Sequence, residues 1–227
     1  MGQRYEVDGA PPPQSPHARK ILNRKLVDLN AEWVLWAAFN SAGCRALQAV
    51  VAESRAPHHA AILRMLLRKC TVQDMYRSPH ANFVLQSIIH NGPGDMLEPI
   101  LSQLQGGVAA MCRHKYGSRV GERIIENASP SRGRAFFDEL VEHAPYIARS
   151  KYGNYVVQSF LEHNPRNRDC ALALLPSAKE LVTRKWSSFV IRFAIPYCDE
   201  DVREMFAAEL GCDSRYIQVG ASSTDSL

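Results

Sequence analysis

No stretch of this 227-residue chain is apolar for the roughly 18 residues that a membrane-spanning helix takes. No basic and apolar leader of the signal-peptide kind opens it. Glu6 stands where a myristoylation signal after Met1-Gly2 requires Ser or Thr. Six cysteines, at 44, 70, 112, 170, 198 and 212, form no CxxC pair and no zinc spacing with histidine. They read as reduced thiols of a cytoplasmic protein, with the nucleus or nucleolus as the other expected places. Asn127-Ala128-Ser129 is then a chance match to a glycosylation triplet. A Gly-rich phosphate loop, an HExxH pair and a nucleophile–base constellation are all missing, so neither an enzyme nor a cofactor is expected. Adjacent His58 and His59 cannot share one helix face and read as a solvated loop start rather than a metal site. Charge of either sign is not in excess: a net +4 and a pI near 8.8 permit a polyanionic partner without demanding one.

Alternating β-branched runs are also lacking, which argues against a sheet. What fills the chain instead is nearly continuous helical periodicity. It is interrupted at Ala56-Pro57, Gly92-Pro93-Gly94, Ser129-Pro130 and Asn164-Pro165. The expected class is all-α. Residues 1–16, with Pro11-Pro12-Pro13, read as a disordered tail, residues 17–210 as one repeat domain and residues 211–227 as a second tail.

The helical region repeats. "KYGSRVGE" at 115–122 and "KYGNYVVQ" at 151–158 share a frame with "SAGCRALQ" at 41–48, "PHANFVLQ" at 79–86 and "KWSSFVIR" at 185–192. Aligning Cys44, Asn82, Ser118, Asn154 and Ser188 gives spacings of 38, 36, 36 and 34 residues. Apolar-periodic partner segments precede the frames at 18–29, 57–69, 94–105, 131–142 and 167–182, which predicts one helical hairpin per repeat. A further helix is expected within 197–210.

A helix begun at each aligned residue keeps one face apolar. That face carries Ala46, Leu47 and Val50; Val84, Leu85 and Ile88; Val120, Gly121 and Ile124; Val156, Val157 and Phe160; Val190, Ile191 and Ala194. Any helical repeat protein does this. The opposite face is less ordinary. It holds Cys44, Arg45 and Gln48; Asn82, Phe83 and Gln86; Ser118, Arg119 and Glu122; Asn154, Tyr155 and Gln158; Ser188, Phe189 and Arg192. In each triplet the middle residue is Arg or aromatic, and the outer two lie one turn apart. Flat groups set between polar tips suit splayed nucleobases: the first stack, and the second read Watson–Crick edges. Trp33, Trp36 and Phe39 read as core of the first repeat rather than a binding box.

This frame, its period and its five faces resemble Pumilio (PUF) repeats over about residues 17–210. The resemblance implies a right-handed curved α-solenoid and a monomer. It also implies single-stranded RNA as partner, bound one base per repeat with the RNA antiparallel to the chain, and regulatory proteins on the outer face. Base-edge chemistry can be assigned face by face. Guanine offers two donors, and Glu122 beside Ser118 accepts both. Uracil's mixed edge suits the amide pairs Asn82–Gln86 and Asn154–Gln158. Adenine suits Gln48 beside Cys44. Ser188 with Arg192 either reads cytosine or belongs to a silent cap. Reversed for polarity, the faces spell 5′-(C)UGUA-3′, the core typical of the family, and point to messenger RNA binding in post-transcriptional or translational regulation. A nucleolar rRNA-processing factor and a protein-interaction scaffold without RNA binding are the alternatives. Five frames against the family's usual eight resemble the C-terminal half of a full array, or a fragment of a longer one. Lys115 and Lys151, just before two reading helices, face either phosphate or the neighbouring repeat.

Overall fold

A computed structural model describes residues 31–54, 56–164 and 166–211. The partner helix expected at 18–29, the tail at 1–16 and residues 212–227 with Cys212 lie outside the described residues. All regular elements among the described residues are helices, and none is long and apolar enough to cross a membrane. The chain divides between Gln103 and Leu104 into two compact units. That division falls inside the third repeat.

The first unit begins with α1 (Ala31–Phe39) and α2 (Gly43–Glu53). It continues with α3 (Ala56–Leu67), α4 (Val72–Arg77) and α5 (Ala81–Asn91). A 3-10 turn at Gly94–Leu97 and α6 (Glu98–Leu104) bring it to the division. The second unit holds α7 (Val108–Cys112), α8 (Gly117–Asn127), α9 (Arg134–Glu142), α10 (Ala144–Ala148) and α11 (Gly153–His163). After these come α12 (Asn167–Leu174), a 3-10 turn at Leu175–Ser177, α13 (Ala178–Thr183), α14 (Ser187–Tyr197) and α15 (Glu200–Leu210).

The hairpin expectation is corrected here. Each complete repeat has three helices, because a short one (α4, α7, α10, α13) is inserted before the reading helix. Each short helix buries residues three apart, such as Val72 and Met75, Val108 and Met111, Ala144 and Ile147, and Ala178 and Leu181. Five or six residues cannot sustain a helix alone; burial on one side holds them, and α4 has a side-chain cap as well. Thr71 and Asp74 form a reciprocal capping box at the start of α4, worth about 1 kcal/mol. The segment expected at 167–182 breaks at Pro176, whose ring and missing N–H tighten the chain into the 3-10 turn before α13.

Reading helices pack side by side within each unit, α2 on α5 in the first, and α8 on α11 on α14 in the second. The apolar residues expected on their inner face are buried, apart from half-buried Ala46. Phe137 and Phe160 are wholly buried and meet edge to face at 5.6 Å in the second unit. Val202 and Phe206 of α15 are buried where that helix packs on α12 and α13. Close approach governs the entry to the reading helices. A Cβ on Gly43 would lie 2.7 Å from the Ala37 Cα, and one on Gly153 would lie 2.5 Å from the Ile147 oxygen. The fifth repeat has Ser187 at that place, and its hydroxyl donates to the Leu181 carbonyl at 2.8 Å.

Two smaller expectations change. His58 and His59 are not in a loop: Pro57 sits in the first turn of α3, where a missing N–H costs nothing, so the helix starts before them. His59 is buried, and its Nε2 lies 2.6 Å from the Val51 carbonyl at the end of α2. The core of α1 is Val34, Leu35, Ala37 and Ala38, while Trp33, Trp36 and Phe39 are half-buried.

Candidate nucleic-acid interface

The varying face of each reading helix is graded in depth. Its innermost residues are Cys44, Asn82, Ser118 and Asn154, all at most 4% exposed. Gln48, Gln86, Glu122 and Gln158, one turn further on, are half-buried. The flat residues between them stand out: Phe83, Tyr155 and Phe189 are 48%, 50% and 51% exposed. Three large rings are thus held half in water at the same register of three repeats. Arg45 and Arg119 occupy that register in the other two repeats and are exposed.

The innermost side chains are tied to the backbone. Asn82 Nδ2 donates to the Ser78 carbonyl at 2.8 Å. Asn154 Nδ2 donates to the carbonyls of Ser150 and Lys151 at 3.1 and 2.8 Å. Their Oδ1 atoms then accept from Gln86 Nε2 and Gln158 Nε2, each at 2.9 Å. The two amide ladders share this link and leave the glutamine Oε1 open; Gln86 also keeps its second Nε2 hydrogen, whereas Gln158 Nε2 donates in addition to the Asn154 carbonyl at 3.2 Å. That acceptor, and at Gln86 that donor, match part of a uracil edge. In the first repeat Gln48 Nε2 donates to the Cys44 carbonyl at 3.0 Å, and the Cys44 thiol, raised in pKa by burial, donates to Ser41 at 3.4 Å.

The third repeat differs in charge. Both Glu122 oxygens accept from Arg119 Nη1, at 3.2 and 2.9 Å. Arg119 also lies 5.7 Å from the Tyr155 ring of the next repeat. A donor that took the same Glu122 lone pairs would compete with this ion pair. Arg119 is 58% exposed, so the exchange costs less than about 1 kcal/mol. In the fifth repeat Ser188 is half-buried, its hydroxyl donates to the Lys185 carbonyl at 3.3 Å, and Arg192 is exposed. Among the described residues no three His, Cys, Asp or Glu side chains converge as metal ligands.

Residues that the sequence frames missed lie four places before each aligned position. Asn40 Oδ1 accepts from the N–H groups of Ala42 and Gly43 at 2.9 and 3.1 Å. Ser78 Oγ does the same for His80 and Ala81, His114 Nδ1 for Tyr116 and Gly117, and Ser150 Oγ for Tyr152. The carbonyls of these four residues, and of Arg184 in the fifth repeat, accept from the N–H of the aligned residue. This cap fixes where the reading helix begins, and with it where the polar tips sit. Its signal was present as small or hydrogen-bonding residues one place before frames that began too late.

A family model described as the Pumilio-family RNA binding repeat matches residues 78–104, 107–141 and 143–169. Over those residues the chain resembles Pumilio-family repeats. The chain is 24% identical over 196 residues to a Pumilio domain-containing protein of Schizosaccharomyces pombe, covering 86% of this chain and 29% of that one. It is 26% identical over 108 residues to Pumilio homolog 1 of Xenopus laevis, covering 44% of this chain and 9% of that one. Among solved structures it resembles PUF-8 in complex with PBE-RNA, with a TM-score of 0.75, 24% identity, and coverage of 86% of this chain and 57% of that one. The Puf4 RNA binding domain bound to the HO endonuclease RNA 3′ UTR recognition sequence has a TM-score of 0.75 at 14% identity, over 86% of this chain and 66% of that one. The likeness establishes the Pumilio-repeat solenoid fold. This chain spans about a third or less of the curated relatives and a little over half of the PUF-8 chain.

Proposed function

We propose that this chain binds single-stranded RNA in a sequence-specific way, one base to each Pumilio repeat, with 5′-(C)UGUA-3′ as the preferred core. The observation that carries the reading is the shared geometry of the second and fourth faces beside the distinct third. Two amide ladders of the same shape stand where uracil is assigned, and a half-buried carboxylate stands where guanine is assigned. Gln48 beside Cys44 takes adenine. The flat residues Arg45, Phe83, Arg119, Tyr155 and Phe189 stack on the bases, each stack worth roughly 1–3 kcal/mol. Ser188 and Arg192 supply donors for cytosine, and Arg192 has the exposure to reach it. Relatives captured on RNA, among them Puf4 on a 3′ UTR sequence, support messenger RNA as the target and post-transcriptional control in the cytoplasm as the role.

Four or five bases give a modest complex, with Kd on the order of micromolar to tens of nanomolar once ordering costs are subtracted. Binding of UGUA-containing and ACAC-containing oligoribonucleotides, measured by fluorescence anisotropy at moderate salt, tests this. A clear preference for UGUA is expected, and equal affinity for the two sinks the reading.

A further inference from the structure

Many cations of the second unit are held in ion pairs, whereas Arg113, Arg132, Arg192, Arg203 and three lysines have none among the described residues. The pairs include Arg149 and Arg184 with Glu180, Arg166 with Asp138 and Asp169, Arg168 with Asp199 and Asp201, and Lys179 with Glu209. Lys115, Lys151 and Lys185 are different. All three are exposed, and none has an ion-pair partner among the described residues. Each lies over the ring of the residue that follows it, with Nζ 5.0 Å from the Tyr116 centroid, 5.6 Å from Tyr152 and 4.6 Å from Trp186. A ring steadies the ammonium without neutralising it.

Their backbone fixes where they stand. The carbonyl of each lysine accepts a hydrogen bond from the innermost side chain of its own reading face: Ser118 at 3.3 Å, Asn154 at 2.8 Å and Ser188 at 3.3 Å. Each unpaired ammonium is therefore carried by the residue that borders a base-edge group, at the same register in three consecutive repeats. In the first unit the same place holds Ser41 and Pro79, which carry no charge.

We propose that Lys115, Lys151 and Lys185 form a row that grips the phosphates of the bound strand. The proposal rests on the RNA-binding reading above and adds a division of labour to it. Base edges are read in all the repeats, whereas these three lysines hold the backbone in the second unit. The fifth repeat then contributes Lys185 to binding whether or not Ser188 and Arg192 read a base. A strand bound antiparallel to the chain is held at its 5′ side.

The test is anisotropy titration of a CUGUA-containing RNA over a range of NaCl concentrations with the parent, a triple Lys→Gln variant at 115, 151 and 185, and a triple Lys→Arg variant. Each phosphate contact to a single strand contributes about 0.7 to the slope of log K against log salt, so the Lys→Gln slope becomes shallower by about 2. Between about 50 and 200 mM salt the parent then loses roughly 20-fold more affinity than this variant. The Lys→Arg variant keeps the parent's slope, and the preference for UGUA over UUUA stays within about twofold in all three. A Lys→Gln variant that is helical by circular dichroism and keeps the parental slope overturns the proposal while leaving base reading intact. A shift in base preference at unchanged slope overturns it too. A parent that binds no RNA at any salt removes the underlying function and this row together.

Discussion

Ser118 and Glu122 differ from Asn154 and Gln158 by chemistry more than by place. Each pair begins with a residue at 2% exposure, followed one turn later by a half-buried polar tip. Replacing Ser118 with Asn and Glu122 with Gln is therefore expected to build a third amide ladder and to move the repeat from guanine to uracil preference. The carboxylate accepts both guanine donors; the amide oxygen accepts one. Leaving a buried donor unsatisfied costs roughly 1–3 kcal/mol, which is about a ten- to hundredfold change in preference. Losing the Glu122 charge also frees Arg119 from its ion pair, so Arg119 remains in place and gains freedom. Paired titrations of UGUA and UUUA RNA with parent and double variant measure the switch. A folded double variant that still prefers UGUA shows that these two residues do not read a base.

At the scale of the element, the junction between a short helix and its reading helix decides where the polar tips are presented. Gly153 packs so closely on α10 that an added Cβ would lie 2.5 Å from the Ile147 carbonyl. Backbone cannot give way there without moving α11. Gly153→Ala is expected to lower stability by about 1–3 kcal/mol, as overpacking of a tight contact does. Equilibrium urea unfolding checks it, and a variant as stable as the parent means that the two helices are not locked together. The same junction shows how much of the repeat was legible. The apolar face of each reading helix was, because a 3.6-residue period is local. The short helices were not, because five residues with two or three buried positions give too little periodicity to separate from a turn. His59 was misread for a related reason: its burial comes from the end of α2 eight residues away, which the His-His pair itself does not signal.

On the scale of the molecule, five of the six cysteines are free and buried. Burial pushes the thiols of Cys70 and Cys170 up to about 12 and that of Cys198 to about 11, from an ordinary value near 9, and raises Cys112 further still. Neighbouring carboxylates add to the effect at Cys70 and Cys112. In the unfolded chain these thiols release their protons near pH 9, whereas in the folded protein they keep them. The folded state thus binds more protons than the unfolded state above that pH, and stability falls as pH rises through the window from about 9 to 11. Each thiol contributes a slope of up to about 1.4 kcal/mol per pH unit. Melting temperature is expected to be level below pH 8 and to drop between pH 8.5 and roughly 10, before most lysines titrate. The Cys170→Ala variant should drop less steeply. A flat profile over that range would contradict the proton balance.

Sequence by itself determined the helical class, the period near 36 residues, the buried register of every reading helix and the choice of letters on the opposite face. All of these follow from patterns within a few turns of chain, where the 3.6-residue helix fixes which side chains share a face. Only the tertiary structure decided which of these letters are tied down and which are free. Asn82 and Gln86 form a ladder because the Ser78 carbonyl at the cap holds the first amide. Arg149 is spent on Glu180, 31 residues away, because stacked repeats bring the two together. Lys115, Lys151 and Lys185 keep their charge because stacking brings no carboxylate to them among the described residues. Composition counts all these cations alike, whereas repeat-on-repeat packing separates those given a carboxylate partner from those that have none among the described residues.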